Sequence, residues 1–349
     1  MKRKLMLWGG VGVILLLLSI LISLSIGTAH LPLLQIAGIL GKHLPWLGGY
    51  IDANWQQSSE QIIMKVRFPR VLLGILVGAA LSVAGAAFQG VLRNPLADPY
   101  ALGVSSGASV GAAFLIYFGL HYAWFGAWSI PIVAFGTGLI SLLLVLRLAR
   151  IDGKLKMETL ILSGVVMQAF LGAIVSFMVS ISKQVINEIV FWLMGSLAMR
   201  GWSFALMMSP YLLVGFVVLI SYARSLNLLA LGERQAAHLG VHVERTKLIV
   251  LIVATLITAA AVSVAGVIGF VGLIVPHLVR LLVGPDYRLI LPLSAIGGGI
   301  YVLWADTLAR TLLSPTEIPL GVITAFLGAP FFAYLLHKDK KNFHRSITK

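Results

Sequence analysis

Three arginines beside apolar segments could bind carboxylate groups. Arg67 and Arg70 belong to the stretch Arg67-Phe68-Pro69-Arg70, which directly precedes an apolar run, and Arg310 follows Asp306 by four residues. The planar guanidinium group offers a fork of N–H donors that matches a carboxylate. Exposed arginines at these places could therefore hold acidic side chains of a partner. Two other interpretations stay open: arginines that extend to the membrane surface, and a local Asp306–Arg310 pair at helical spacing.

A second candidate is the stretch Arg93-Asn94-Pro95-Leu96-Ala97-Asp98-Pro99, in which two prolines lie within five residues. Prolines at this density end a helix and favour a rigid turn. Asn94 can satisfy backbone groups that the helix end leaves open. The pattern by itself predicts a turn, and its place between two glycine-rich apolar segments makes a gate possible.

The polar segment Ser225–Gly240 has the pattern of two short amphipathic helices. Asn227 is typical of an N-cap, Gly232 of a break and Gly240 of the residue that follows a helix. The apolar contacts of these helices are predicted to be Leu228, Leu229, Leu231, Ala236 and Leu239. Such helices could merely cap a bundle. They could also form a docking surface for a cytoplasmic partner, to which the neighbouring polar residue Glu233 would contribute.

Several other kinds of chemistry find no support. The sequence lacks a Gly-x4-Gly-Lys-Ser/Thr phosphate loop, a His-Glu-x-x-His motif and any cysteine. No His/Asp/Glu cluster has the spacing of a metal site, so neither a metal nor a cofactor is predicted. The acids Asp98, Asp306 and Glu317 fall near the ends of apolar segments, which disfavours a proton-coupled carrier because such carriers need acids within their spans.

The composition indicates a membrane protein. Of 349 residues, 59% are hydrophobic and only 11% are charged, which excludes an ordinary soluble fold. The net charge of +14 fits basic loops retained in the cytoplasm better than it fits nucleic-acid binding. We expect an all-α, polytopic helical bundle that forms a single transmembrane domain over residues 1–349, in contact with membrane lipid.

Ten apolar runs predict ten membrane spans. They are Leu5–Ile26, Val71–Val91, Gly103–Leu120, Ala127–Leu146, Leu160–Ile181, Phe204–Tyr222, Leu248–Val267, Phe270–Val283, Leu289–Leu308 and Pro319–Leu336. With these spans, 19 of the 26 basic residues share one side, which predicts that both termini and the loop at about 224–247 are cytoplasmic. The apolar segment Val185–Met199 is then an external half-helix or surface helix.

Glycine spacing predicts two features of the helices. Gly74-x3-Gly78 and Gly103-x3-Gly107-x3-Gly111 place glycines on one helix face, where neighbouring backbones can approach closely. Gly266-x2-Gly269-x2-Gly272, just before Pro276, indicates a broken helix end.

A set of short motifs runs in a fixed order from about residue 67 to residue 332. The set comprises Arg67-x-Pro-Arg70, Gly85-x3-Gln89, Arg93–Pro99, Trp192-x2-Gly195-Ser196, Leu231–Gly240, Gly269–Arg280, Asp306-x3-Arg310, Glu317-x-Pro319-x-Gly321 and Gly328-x-Pro330. Each motif is weak alone, but together they resemble the FecCD family of ABC-importer permeases. That family includes the vitamin B12 permease and the permeases for ferric siderophores and haem.

The resemblance implies a ten-span, type II ABC importer permease that works as a homodimer or with a closely related permease. Two cytoplasmic ATPase subunits would hydrolyse ATP, so the chain itself is not expected to be an enzyme, and an extracytoplasmic substrate-binding protein would dock outside. By the resemblance, Arg67, Arg70 and Arg310 receive carboxylates of that binding protein. Asn94 and Leu96 form part of the cytoplasmic gate, and Ser225–Gly240, with Gly232, Glu233 and Gly240, forms the coupling helices.

The substrate implied by the resemblance is a metal chelate. We favour a ferric siderophore because that use is widespread in the family, with cobalamin or haem as the alternative. An ion-coupled secondary transporter is the weakest interpretation, because the sequence lacks acids in the middle of its spans.

Overall fold

The computed structural model describes residues 2–27, 31–46, 48–151 and 154–347. Fifteen α-helices run through these residues, in the order α1 (Lys2–Ser25), α2 (Leu33–Lys42), α3 (Gln57–Gln61), α4 (Phe68–Leu92), α5 (Val104–Tyr117), α6 (Ser129–Leu148), α7 (Met157–Ile181), α8 (Ile186–Leu193), α9 (Trp202–Ser221), α10 (Ala223–Leu229), α11 (Glu233–His238), α12 (Val243–Ala265), α13 (Val271–Val283), α14 (Tyr287–Ala309) and α15 (Leu320–Ile347). The extended segments of the described residues are the two-residue strands β1 (Arg150–Ile151) and β2 (Lys154–Leu155), which pair antiparallel.

Seven helices among the described residues are long and apolar enough to cross a membrane. They are Arg3–Ser25, Gln57–Leu92, Gly126–Leu148, Met157–Ile181, Trp202–Ser221, Val243–Ala265 and Tyr287–Ala309. Helices suit this role because each satisfies its own backbone hydrogen bonds where water is absent. Four shorter apolar helices accompany them: Leu33–Lys42, Val104–Tyr117, Val271–Val283 and Leu320–Tyr334.

Helix α4 is the central element, and α1 lies at the periphery. A Cβ atom added to Gly78 would overlap the carbonyl oxygen of Gly298 in α14, and one added to Gly85 would overlap that of Gly272 in α13. The backbones therefore touch at these glycines, and the contact at Gly78 is the close approach that the Gly74-x3-Gly78 spacing predicts. Helix α1 instead leaves five of its leucine and isoleucine side chains at least half exposed, as expected of a helix that faces lipid: Leu7, Ile14, Leu15, Leu17 and Leu18.

The predicted helix break is confirmed. Helix α12 ends at Ala265, Gly266 takes a positive φ of 72°, and α13 begins only at Val271. Ser196 N donates to the carbonyl oxygen of Ala265 over 2.8 Å, and Leu320 N donates to that of Gly195 over 2.9 Å. Three interruptions of regular helix thus lie side by side: the end of α12, the segment after α8, and the start of α15.

Two further expectations concern shorter segments. Val185–Met199 contains only the eight-residue helix α8, which is too short to cross a bilayer at 1.5 Å per residue. The predicted N-cap role of Asn227 is wrong, because Asn227 lies inside α10 and its side chain contacts the start of α14. The last two residues of the basic tail, 348 and 349, lie outside the described residues.

Candidate functional site

Arg70 is the centre of a charged cluster at one end of the bundle, which we call the arginine end. Its Nε and Nη2 atoms donate to the carboxylate of Asp306 over 2.8 to 3.1 Å. Its Nη1 and Nη2 atoms donate to Glu317 over 2.8 and 2.9 Å. Asp306 is 1% exposed, whereas Glu317 is 38% exposed. Arg70 therefore joins the start of α4 to the end of α14 and to the loop before α15.

Arg67 and Arg310 hold the end of α1. Arg67 Nη1 donates to the carbonyl oxygen of Leu24 over 2.6 Å. Arg310 Nη2 donates to the carbonyl oxygen of Ser23 over 2.6 Å. The Asp306–Arg310 pair left open by the sequence is present, but at 3.6 Å it is longer than the Arg70–Asp306 contact. All three arginines make contacts within the chain, and their docking role stays a prediction.

The carboxylate of Glu317 is the exposed part of this cluster. The hydrogen bonds from Arg70 hold the pKa of Glu317 below its usual value, although partial burial acts in the opposite direction. Glu317 is therefore an anion at neutral pH that occupies the outward side of the Arg70 guanidinium. Sequence reasoning noted Glu317 as an acid near the end of an apolar segment and as part of a motif. It missed the pairing because 247 positions separate Glu317 from Arg70.

The Arg93–Pro99 turn lies at the other end of α4, which we call the loop end. Arg93 closes α4 in the left-handed conformation with φ 50°. Leu96 N donates to Asn94 Oδ1 over 2.9 Å, as expected for an asparagine that satisfies a turn. The Leu96 side chain is 48% exposed. The turn is confirmed, while the gate role of Asn94 and Leu96 remains a prediction.

The predicted coupling helices are α10 and α11, also at the loop end. Gly232, with φ 123°, breaks the helix directly before α11, and Gly240, with φ 84°, follows the end of α11, which confirms both glycine predictions. Leu229 and Ala236 are buried within the chain, while Leu231 and Leu239 are 62% and 60% exposed. Leu231 and Leu239 are therefore available to a partner.

Glu233 connects α11 to the rest of the loop end. Its carboxylate lies 2.6 Å from Lys247 Nζ in α12 and 3.7 Å from Arg93 Nη2 in the turn. Lys247 is 3% exposed, so Glu233 compensates a nearly buried cation. Sequence reasoning assigned Glu233 to a partner and missed both contacts, although Arg93 and Glu233 both belong to the motifs. One ion cluster thus joins the predicted coupling helices to the turn that contains the predicted gate residues.

An apolar cavity of about 630 Å³ opens beside the three helix interruptions. Its lining comes from the end of α8, the Val267–Phe270 segment and the first turns of α15, and includes Leu193, Met194, Val267, Phe270, Val322 and Phe326. None of the lining residues carries a charge. Such a surface can accommodate a large molecule without holding it through ion pairs.

An all-helical bundle of this kind, with several long apolar helices, is a multi-pass membrane protein. The chain belongs to the FecCD transport family, whose sequence model matches residues 15–338. It is therefore an ABC importer permease of the metal-chelate type, as the motif set predicts.

Three relatives illustrate the range of this family. An uncharacterized ABC transporter permease of Bacillus subtilis is 44% identical over 95% of this chain and 93% of its own length. The cobalamin import system permease of Halobacterium salinarum is 44% identical over 80% of this chain and 74% of its own length. The hemin transport system permease of Yersinia pestis is 40% identical over 93% of this chain and 95% of its own length.

A solved structure shares the fold. It is an inward-facing conformation of an ABC transporter assigned to the metal-chelate type, with a TM-score of 0.81 and 33% sequence identity. The match covers 97% of this chain and 100% of that chain.

Proposed function

We propose that this permease imports a ferric siderophore or a chelate of similar size into the cytoplasm, driven by ATP hydrolysis on separate subunits. The observation that carries this proposal is the uncharged cavity of about 630 Å³ beside the helix interruptions. A chelate already encloses its metal, so the permease needs room and weak apolar contact rather than metal ligands. Cobalamin is the second candidate, because a cobalamin permease is 44% identical to this chain.

We infer a single transmembrane domain with ten spans and both termini in the cytoplasm. Val104–Tyr117, Val271–Val283 and Leu320–Tyr334 would add three spans to the seven longer helices. Helix α4 supports this arrangement, because it runs from the arginine end, where Arg70 lies in its first turn, to the loop end, where Arg93 follows its last residue. The two ends therefore lie on opposite sides of the membrane. The arginine end would then be extracytoplasmic and the loop end cytoplasmic, in agreement with the excess of basic residues assigned to the loop end.

The loop end would receive the ATPase subunits. Leu231 and Leu239 offer exposed apolar contacts, and Glu233 connects their helices to Arg93. When ATP binding draws two ATPases together, α10 and α11 would move with them. The Glu233–Arg93 contact would carry that displacement to the adjacent residues Asn94 and Leu96, and so change the opening at the cytoplasmic side.

The arginine end would receive the substrate-binding protein. Arg70 and Glu317 lie at the surface of the cluster, whereas Arg67 and Asp306 are buried beneath them. A carboxylate from the binding protein would contact Arg70 by displacing Glu317 or by binding beside it. Arg310 would keep the cluster in place through its bonds to the end of α1.

The substrate path would be completed by a second permease subunit. The apolar cavity is open on one side, and its lining comes from segments that interrupt the helices. We propose that two copies place these cavities opposite each other. The lining of the joint path would then be apolar and uncharged, which suits a bulky chelate that passes without tight binding.

Transport by the reconstituted complex tests this proposal. The permease, its ATPase and its binding protein are placed in proteoliposomes and supplied with a ferric siderophore, cyanocobalamin or haem. We expect ATP-dependent uptake of a ferric siderophore, and no uptake when the catalytic glutamate of the ATPase is changed to glutamine. Uptake that persists with the inactive ATPase would refute the mechanism. ATP-dependent uptake of cobalamin or haem alone would refute only the choice of substrate.

A further inference from the structure

A second cavity, at the arginine end, contains polar groups that have no part in the transport mechanism proposed above. It has a volume of about 490 Å³ and lies between the α5–α6 connection, helix α8 and the segment before α9. Its polar lining consists of His121, Tyr122, Glu188, Trp192, Ser196 and Arg200. We call it the Arg200 cavity. Its volume falls within the range of about 300 to 1,000 Å³ that is common for small-molecule sites.

Three nitrogen atoms of this lining are buried without a hydrogen-bond partner in the part of the chain that the structure describes. They are Nδ1 of His121, Nε1 of Trp192 and Nε of Arg200. The Trp192 side chain is 91% buried, since only 9% of its surface is exposed. Buried N–H groups normally have acceptors, because an unmade hydrogen bond is costly in the interior. Here the Trp192 and Arg200 donors border one cavity.

Arg200 adds a positive charge to this cavity. Its guanidinium lies 4.7 Å from the Phe204 ring and forms no ion pair with the described carboxylates. Burial lowers the pKa of Arg200, because desolvation disfavours the charged guanidinium, and the neighbouring Tyr122 opposes this only in part. A bound anion would offset this cost, because a nearly buried cation is stabilised by a paired, hydrogen-bonded anion.

Glu188 places an opposite charge at the rim. It lies one helical turn before Trp192 on α8, so the two side chains share a helix face. Glu188 is exposed, whereas the donors lie deeper. The cavity therefore presents donors for an anion at its base and an acceptor for a cation at its mouth. A phosphate group with a nearby ammonium has this arrangement of charges.

The surroundings indicate where such a ligand would come from. The connection between α5 and α6 exposes Tyr122, Trp124 and Phe125, each more than half exposed. Exposed tryptophan and tyrosine at a helix end are typical of the membrane–water interface. Lipid headgroups lie at this depth, so the mouth of the cavity is within reach of a phospholipid.

We propose that the Arg200 cavity binds the headgroup of an amine-bearing phospholipid such as phosphatidylethanolamine. Arg200 and the Trp192 indole N–H would donate to the phosphate, with His121 beside them, and Glu188 would accept from the ammonium. The lipid would thereby tie helix α8 to the α5–α6 connection. This site does not depend on which chelate the permease transports.

Native mass spectrometry of the delipidated permease tests the proposal. The purified protein is titrated with phosphatidylethanolamine, with phosphatidylglycerol and with soluble phosphoethanolamine. Arg200→Gln should weaken phosphatidylethanolamine binding about tenfold, since a hydrogen bond to a charged group is lost. Trp192→Phe keeps the ring and removes the donor, and should weaken binding several-fold. Arg147→Gln changes an exposed arginine of α6 away from the cavity and serves as the matched control.

Glu188→Gln distinguishes the amine from the phosphate. It should abolish the preference for phosphatidylethanolamine over phosphatidylglycerol, while both lipids still bind. Competition by soluble phosphoethanolamine would assign the site to a soluble ligand of the same chemistry, and lack of competition would assign it to the lipid. Wild-type affinity in both Trp192→Phe and Arg200→Gln would overturn the proposal. Trp192→Phe keeps this test valid even if Arg200→Gln fails to fold.

Discussion

Ion pairs join helices at both ends of the bundle, but the two groups lie in different surroundings. At the arginine end, Asp306 is 1% exposed and Arg70 is 13% exposed. At the loop end, Arg93 is 47% exposed and Glu233 is 37% exposed, and only Lys247 is buried. Charge pairs held away from water are hard to separate, whereas solvated pairs contribute little and exchange partners readily. We infer that the arginine end fixes the helices and that the loop end is built to move.

The first prediction tests the rigid end. Asp306→Ala leaves Arg70 and Arg310 without their shared buried carboxylate, and should lower the free energy of unfolding by about 3 to 5 kcal/mol. Glu244→Gln at the loop end removes a 3.7 Å pair with Lys247 and should cost less than about 1 kcal/mol. Thermal unfolding of both variants in detergent measures the difference. Equal losses of stability in the two variants would show that the ion pairs at the two ends stabilise the fold to the same extent.

Only part of the difference between the two ends could be predicted from the sequence. Helix breaks at Gly232 and Gly266 follow from glycine and its neighbours, because local sequence determines local backbone conformation. Sequence spacing likewise indicates the Asp306–Arg310 pair, since four residues make one helical turn. The stronger partner of Asp306 is Arg70, 236 positions away, and no periodicity reveals it. That contact depends on how α4 and α14 pack through Gly78 and Gly298.

The same limit explains what was missed at the loop end. The sequence predicts two short helices correctly, but it presents Glu233 as a free polar residue. The pairing of Glu233 with Lys247 and Arg93 exists only because α11 packs over α12 beside the end of α4. The motifs contained Arg93 and Glu233, so a search for opposite charges among motif residues could have proposed this pair.

The second prediction tests the mobile end. Glu233→Gln removes the carboxylate that Arg93 shares with the nearly buried Lys247. Loss of the partly exposed Arg93 contact should lower uptake by about two- to fivefold, because such pairs contribute up to about 1 kcal/mol. ATP hydrolysis by the complex should change by less than this factor. Uptake and hydrolysis are measured in the same proteoliposomes. Glu244→Gln, which affects Lys247 but not Arg93, is the control, and equal uptake in the two variants would argue against the connection to the gate.

The third prediction concerns the exposed edge of the rigid end. Glu317→Gln frees the outward side of Arg70 and should tighten docking of the binding protein by up to about threefold at low salt. Surface plasmon resonance with the immobilised permease measures the affinity. Glu60→Gln is the control, because Glu60 pairs with His43 and Trp55 rather than with the arginines. Weaker docking in Glu317→Gln would mean that Glu317 itself belongs to the docking surface.

The fourth prediction follows from the protonation of Glu317. Its pKa in the folded protein is depressed by Arg70, so the Arg70–Glu317 pair contributes stability above the pKa of an unfolded glutamate. That contribution declines once the pH falls below the unfolded-state pKa and is gone below the lower, folded-state pKa. The stability difference between the wild type and Glu317→Gln should therefore be constant from neutral pH to mildly acidic pH, at less than about 1 kcal/mol because Glu317 is partly exposed.

Melting temperatures of the wild type and Glu317→Gln, recorded between pH 7 and strongly acidic pH, measure this difference. Asp306 is present in both proteins, so its contribution cancels in the stability difference. If the difference disappears as soon as the pH becomes mildly acidic, Arg70 does not hold Glu317 as an anion. Arg70 would then be available to a docking carboxylate without competition, and the arginine end would be less rigid at its surface than its buried contacts indicate.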